Sequence, residues 1–124
     1  MWDIRDLENI TKVADYTHNL NDIVHNVHVW GRYAAVAWYT GGVRILDMID
    51  PTHPREVGFF DTYPGPGGGF NGVWEVYPYF PSGKIIASDR QSGLWVFTFN
   101  GAIAGSISGV VRNGATNAPM PGVK

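Results

Sequence analysis

Apolar residues in this chain come in short stretches that alternate with polar ones, and Gly, Pro, Asn or Asp interrupts each stretch. A period of two marks a strand with one buried face, and breaker residues mark its ends. The pattern predicts strands at Ile23–Trp30, Tyr33–Tyr39, Val43–Met48, Glu56–Asp61, Val73–Tyr77, Lys84–Ser88, Leu94–Phe99 and Ser106–Arg112. The runs between them are turn chemistry: Gly31-Arg32, Thr40-Gly41-Gly42, Asp50-Pro51-Thr52-His53-Pro54, Pro64 to Gly69, Pro81-Ser82-Gly83 and Gln91-Ser92-Gly93. Helical spacing shows only in Leu7, Ile10 and Val13, so Asp6 to Asp15 is expected to make one short amphipathic turn. The expected fold class is all-β.

The stretches also repeat. A shift of 44 lays Trp2-Asp3-Ile4-Arg5-Asp6 over Leu46-Asp47-Met48-Ile49-Asp50, Val13 over Val57 and Tyr16 over Phe60. A second echo pairs Tyr33–Leu46 with Lys84–Phe97 when one inserted residue is allowed, which sets Ser88-Asp89-Arg90 against Trp38-Tyr39-Thr40. Both copies read apolar strand, polar turn with Gly, apolar strand. A period near 44 with about four strands per period is the mark of a β-propeller blade. The chain holds about two to two and a half such four-stranded antiparallel blades, whereas propellers close with ~4–8. The expectation is a partial β-propeller with a short C-terminal β tail: a piece of a longer protein, a truncated product, or an assembly completed by other chains.

Composition narrows the function classes. With 9 basic against 11 acidic side chains, the chain lacks the positive balance of a phosphate-neutralising nucleic-acid binder. Zero cysteine excludes a disulfide scaffold, a Cys-type zinc site and a thiol nucleophile. No stretch approaches the ~18 apolar residues of a membrane helix, and Met1-Trp2-Asp3-Ile4-Arg5-Asp6 lacks the basic and apolar segments of a signal peptide.

Specific motifs then come into view. His25-Asn26-Val27-His28-Val29, Tyr39-Thr40-Gly41-Gly42-Val43-Arg44-Ile45-Leu46-Asp47 and Asp50-Pro51-Thr52-His53-Pro54-Arg55-Glu56-Val57-Gly58 together resemble the LVIVD-repeat β-propellers. Asp61-Thr62-Tyr63-Pro64, Gly69-Phe70-Asn71-Gly72-Val73-Trp74, Val76-Tyr77-Pro78, Pro81-Ser82-Gly83 and Ser88-Asp89 resemble the C-terminal end of the choice-of-anchor B group of exported bacterial proteins. The resemblance spans about residues 2–99 and implies a secreted or cell-surface propeller with no securely attached enzymatic activity. A second resemblance lies in the tail. Gly105-Ser106-Ile107-Ser108-Gly109-Val110-Val111-Arg112 followed by Asn117-Ala118-Pro119-Met120-Pro121-Gly122-Val123 is similar to the opening of a carboxypeptidase regulatory-like domain, a small β-sandwich that serves as a spacer. The expected organisation is therefore 1–99 propeller blades, 100–104 linker and 105–124 the start of that sandwich.

Four histidines, His18, His25, His28 and His53, raise the question of a metal. On a strand, His25 and His28 point to opposite faces, there is no HExxH, and no carboxylate sits at ligand spacing, so no metal is expected. Gly67, Gly69 and Gly72 spell GxGxxG, but prolines precede them and a strand pattern follows, where a dinucleotide site needs strand before and helix after. No cofactor is expected. Serines stand outside any GxSxG elbow, and Asp89 reads as a turn cap unless Glu75 or Asp61 comes near it as a partner carboxylate. The surplus is aromatic. Trp38 and Trp95 read as inter-blade packing, while Tyr63, Phe70, Tyr77 and Tyr79 flank Pro/Gly loops and can stack on sugars or a peptide.

The expected function is a noncatalytic interaction module presenting loops to a glycan or protein partner at the cell surface or outside the cell. The ligand-binding residues expected are His25, Asn26, Tyr39, Tyr63, Phe70, Trp74, Asp89 and Arg90, with no catalytic residue assigned. The alternative is a hydrolase or lyase in the propeller channel built on His25, Asn26, Asp89 and Arg90. Neither nucleic acid nor a membrane span is expected, and exposed blade edges are expected to drive self-association.

Overall fold

The computed structural model describes residues 1–101 and Thr116. The expected strand Ser106–Arg112, and with it the reading of 105–124 as the start of a sandwich, falls outside the described residues apart from Thr116. Nine strands form three antiparallel sheets among the described residues. Strands β1 (Trp2–Asp3) and β2 (Thr11–Lys12) make a two-stranded ribbon. Strands β3 (Asn26–Trp30), β4 (Tyr33–Ala37), β5 (Val43–Asp47) and β6 (Arg55–Phe60) make a four-stranded meander. Strands β7 (Val73–Tyr77), β8 (Lys84–Asp89) and β9 (Gly93–Thr98) make a three-stranded one. The fold is all-β and consistent with a partial propeller of one four-stranded blade flanked by two shorter sheets.

The repeats seen in the sequence are repeats of hydrogen bonding. The ribbon pairs Trp2 with Lys12 and Asp3 with Thr11, and 44 residues later Leu46 pairs with Glu56 and Asp47 with Arg55. The turn between them repeats too. Asp3 Oδ1 accepts from Arg5 N and Asp6 Oδ1 from Glu8 N; Asp47 Oδ1 accepts from Ile49 N and Asp50 Oδ1 from Thr52 N. Short carboxylates bonding the backbone two residues on make these turns from local chemistry alone. The same chemistry overrides the expected amphipathic turn at Asp6 to Asp15. Only the turn Asp6–Asn9 forms, closed by Asn9 N to Asp6 O at 3.1 Å, and Leu7 and Ile10 stay exposed beside strand β2.

The second echo is tighter than the sequence suggested. The pairs Tyr33↔Asp47, Ala34↔Leu46, Ala35↔Ile45, Val36↔Arg44 and Ala37↔Val43 recur 51 residues later as Lys84↔Thr98, Ile85↔Phe97, Ile86↔Val96, Ala87↔Trp95 and Ser88↔Leu94. No insertion is needed, so Ser88-Asp89-Arg90 corresponds to Ala37-Trp38-Tyr39. The first strands correspond with a shift of 49: Val27↔Val36 and His28↔Ala35 become Val76↔Ala87 and Tyr77↔Ile86.

The two central strands of the four-stranded sheet, β4 and β5, are buried on both faces, which is why they read as nearly continuous apolar runs. One face presents Ala35, Ala37, Val43, Ile45 and Val57 to Val73, Val76, Ile85, Ala87, Trp95 and Phe97 of the third sheet. Phe60 seals this interface with its ring 5.1 Å from Trp95 and 5.3 Å from Phe97. The other face packs Ala34, Val36, Trp38 and Leu46 under Tyr16 and Met48. Trp95 is thus packed between sheets, and Trp38 lies edge-on to Tyr16 of the N-terminal segment at 5.8 Å. Each fully buried side chain of this kind contributes about 1.5–3 kcal/mol.

Arg44 is the exception inside β5, its side chain only 6% exposed. Each nitrogen of its fork has a partner: Nε donates to Gly41 O at 2.8 Å, Nη1 to Glu56 at 3.2 Å and Nη2 to His18 Nε2 at 2.7 Å, with the guanidinium 4.7 Å from the Phe59 ring centre. Tyr16 Oη also donates to the Glu56 carboxylate. Burial first, and then that carboxylate, push the Tyr16 phenol upward from its ordinary value of 10.0.

Candidate functional site

The second and third sheets join through a backbone contact at the foot of β7. Tyr39 takes φ +28°, the left-handed region a bulky residue rarely enters, and its carbonyl accepts from both Gly42 N and Val73 N at 3.0 Å. Gly72, at φ +86°, makes the approach possible: a Cβ there would sit 2.3 Å from Tyr39 O. The loop 61–72 leaves β6 and returns here. Its middle is tied down by Gly68 N, which donates to Thr40 Oγ1 at 3.0 Å and to Asp22 Oδ1 at 3.2 Å, while Thr40 itself donates to Asp22.

That anchoring gathers four rings. His25 lies 4.4 Å from Trp74 and 5.3 Å from Tyr39, and Tyr39 lies edge-on to Phe70 at 5.4 Å. Tyr39 is buried, whereas Phe70 and Trp74 are 58% and 47% exposed, so two of the four rings face solvent on a fixed support. His25 Nδ1 is buried with no hydrogen-bond partner among the described residues. Beside the rings runs a chain of polar groups. Gln91 Oε1 accepts from Gly72 N, Gln91 Nε2 donates to Asn71 Oδ1, Asn71 Nδ2 donates to Tyr63 Oη, and Arg90 Nη1 donates to Phe70 O.

Further along the same strands, Glu75 bridges the sheets. It accepts from Asn26 Nδ2 and lies 3.0 Å from His28 Nε2; an ionised carboxylate only accepts, so that nitrogen carries the proton. Burial raises the Glu75 carboxyl, but donation from Val76 N, Asn26 and His28 outweighs it and holds the group below its ordinary 4.5.

The eight sequence-predicted residues therefore divide. His25, Tyr39, Phe70 and Trp74 form one cluster, with Tyr63 and Arg90 at its polar rim. Asn26 faces Glu75 instead. Asp89 is buried, where its carboxylate accepts from Thr62 Oγ1 at 2.6 Å, Gln91 N at 2.8 Å and Ser92 N at 2.7 Å, so it closes the β8–β9 turn and ties it to the end of β6. Among the described residues no three His, Asp or Glu side chains gather as metal ligands. No described helix is long and apolar enough to cross a membrane. Sequence reasoning missed Asn71 and Gln91 as rim residues and Asp22 as the anchor; the density of turn formers around Gly72 was the available signal.

Comparison with known proteins adds one finding. The LVIVD repeat matches residues 23–62, a span that takes in all of β3 to β6. This is a β-propeller repeat, so the four-stranded sheet is one repeat unit. No curated protein and no solved structure matches the chain.

Proposed function

We propose that this chain is a noncatalytic interaction module of an exported bacterial β-propeller protein of the choice-of-anchor B kind, secreted or held at the cell surface, and that it binds a glycan. On this reading the segment 105–124 opens a carboxypeptidase regulatory-like spacer. The observation that carries the reading is the platform of Phe70 and Trp74. Two exposed rings are locked from behind by Tyr39 and His25, and amide, phenol and guanidinium groups of Asn71, Gln91, Tyr63 and Arg90 stand beside them. Flat aromatic faces take the apolar faces of sugar rings, and adjacent polar groups take the hydroxyls. A protein partner needs a broader face with a buried anchor at its centre.

The test is isothermal titration calorimetry with a panel of neutral oligosaccharides. At least one glycan should bind, and Phe70→Ala and Trp74→Ala should each weaken it by about tenfold or more while the melting temperature of Phe70→Ala stays put. A panel with no responder overturns the glycan assignment, and a response that survives both substitutions removes it from this platform.

A further inference from the structure

Among the described arginines, Arg90 alone stands in no ion pair. Arg5 pairs with Asp3, Arg32 and Arg55 with Asp47, and Arg44 with Glu56. Arg90 is nevertheless tied at both ends: its backbone N donates to Gly72 O at 2.9 Å, and its Nη1 donates to Phe70 O. The carboxylates around it are engaged elsewhere. Asp89, its neighbour in sequence, is buried and turned to Thr62 Oγ1, Gln91 N and Ser92 N. Asp61 accepts from Tyr63 N, Asp22 from Thr40 and Gly68, and Glu75 from Asn26 and Val76. A guanidinium carries five N–H donors and keeps its charge at any physiological pH. Phe70 O takes one donor, so the rest of the fork and the whole charge stay unmatched on an exposed side chain.

The anchor point shows what this charge can meet. Phe70 O belongs to the residue whose ring is exposed on the platform, so the guanidinium stands at the platform's own backbone. A sugar ring laid on Phe70 and Trp74 presents its substituents to that rim. We infer that the glycan is acidic, a uronate whose carboxylate pairs with the Arg90 fork while its ring lies on the aromatic faces, an assignment that rests on the glycan reading above and names the class of sugar. A carboxylate matches the planar fork with two parallel N–H···O bonds, whereas a hydroxyl takes one. A heavily sulfated chain needs a row of cations, and of Lys and Arg the rim described above holds Arg90 alone. An exposed ion pair adds only modestly to affinity, so the rings supply most of the binding and Arg90 the preference.

Calorimetry on the full chain with matched sugars tests it, each neutral oligosaccharide set against the same oligosaccharide carrying a glucuronate. At low ionic strength the acidic member should bind about fivefold tighter, and the ratio should shrink toward one as salt is raised. Arg90→Gln should bring the ratio to about one, and Arg90→Lys, which keeps the charge and loses the fork, should leave an intermediate value. The ratio is the readout because any shift of Phe70 on losing its partner weakens both members of a pair alike. Equal binding of neutral and acidic members by the wild type overturns the acidic assignment and leaves the platform reading in place. A preference that survives Arg90→Gln puts the carboxylate on another group and overturns it too, as does a sulfated counterpart that outbinds the uronate. Silence from both members of every pair removes the platform and the acidic assignment together.

Discussion

Replacing Gly72 by Ala adds one methyl group at the point where the second and third sheets touch through their backbones. At φ +86° an L-residue is strained, which costs about 1–2 kcal/mol. The new Cβ would also lie 2.3 Å from Tyr39 O and 2.7 Å from Tyr39 C, and both are backbone atoms that no rotamer change can move aside. To reach ordinary contact the two segments must part by about 1 Å, and that gap breaks the 3.0 Å bond from Val73 N to Tyr39 O. Val73 is fully buried, so its amide loses a partner that water cannot replace, at about 1–3 kcal/mol. The expected loss is about 3 kcal/mol, on the order of 15 °C in melting temperature for a domain of this size. Gly93→Ala separates the causes. Gly93 has nearly the same φ, +88°, with nothing within 4 Å of its added Cβ, so it bears the strain alone, about 1 kcal/mol. Urea titrations of both variants with unchanged slope read the difference. Equal losses in the two would refute the reasoning, because the close approach at Tyr39 would then contribute nothing.

Three further outcomes follow from the same geometry. Asp89→Ala should cost about 2–4 kcal/mol by leaving the buried Thr62 hydroxyl and two turn amides without their acceptor, and a melt unchanged within about 2 °C would show the cap to be idle. Arg44→Lys keeps the charge but cannot reach Gly41 O, Glu56 and His18 together, so a loss of about 2 kcal/mol is expected by urea titration, and full stability would mean that the fork geometry is immaterial. Acid should weaken the link between the sheets. Glu75 titrates below its ordinary 4.5 in the folded chain, so the unfolded chain takes up its proton first as pH falls. The stability it gives is complete well above pH 4.5 and fades as pH drops through the folded value. Glu75→Gln should flatten that part of the pH–stability curve, and an unaltered curve would remove Glu75 from the account.

The hairpins were legible because their determinants are local. The turn after β5 needs Asp47, Asp50 and Thr52 at fixed offsets, and a shift of 44 matched Asp3 and Asp6 to two of them, yet the ribbon itself was not expected, because strands β1 and β2 hold only two residues each and carry no alternation to read. Strand limits were legible where burial enforces the alternation. They failed at Ile23 and Val24, which continue the apolar pattern but remain exposed ahead of β3. The candidate site was half legible. Phe70 and Trp74 announced themselves as aromatics beside glycine, but their backing comes from Tyr39 and His25, 31 and 49 positions earlier, and only the stacking of successive sheets brings those rings together. Asp22, Thr40 and Gly68 meet for the same reason. Periodicity assigns each residue to a face and says nothing of whether that face has a neighbour. Val43 and Leu94 occupy the same place in two corresponding hairpins, β4–β5 and β8–β9, with the same apolar character, yet one is fully buried and the other 60% exposed. Repetition gives them the same role, and the difference in exposure is the part of the fold that no single stretch of sequence encodes: it belongs to whatever sheet lies next in the stack.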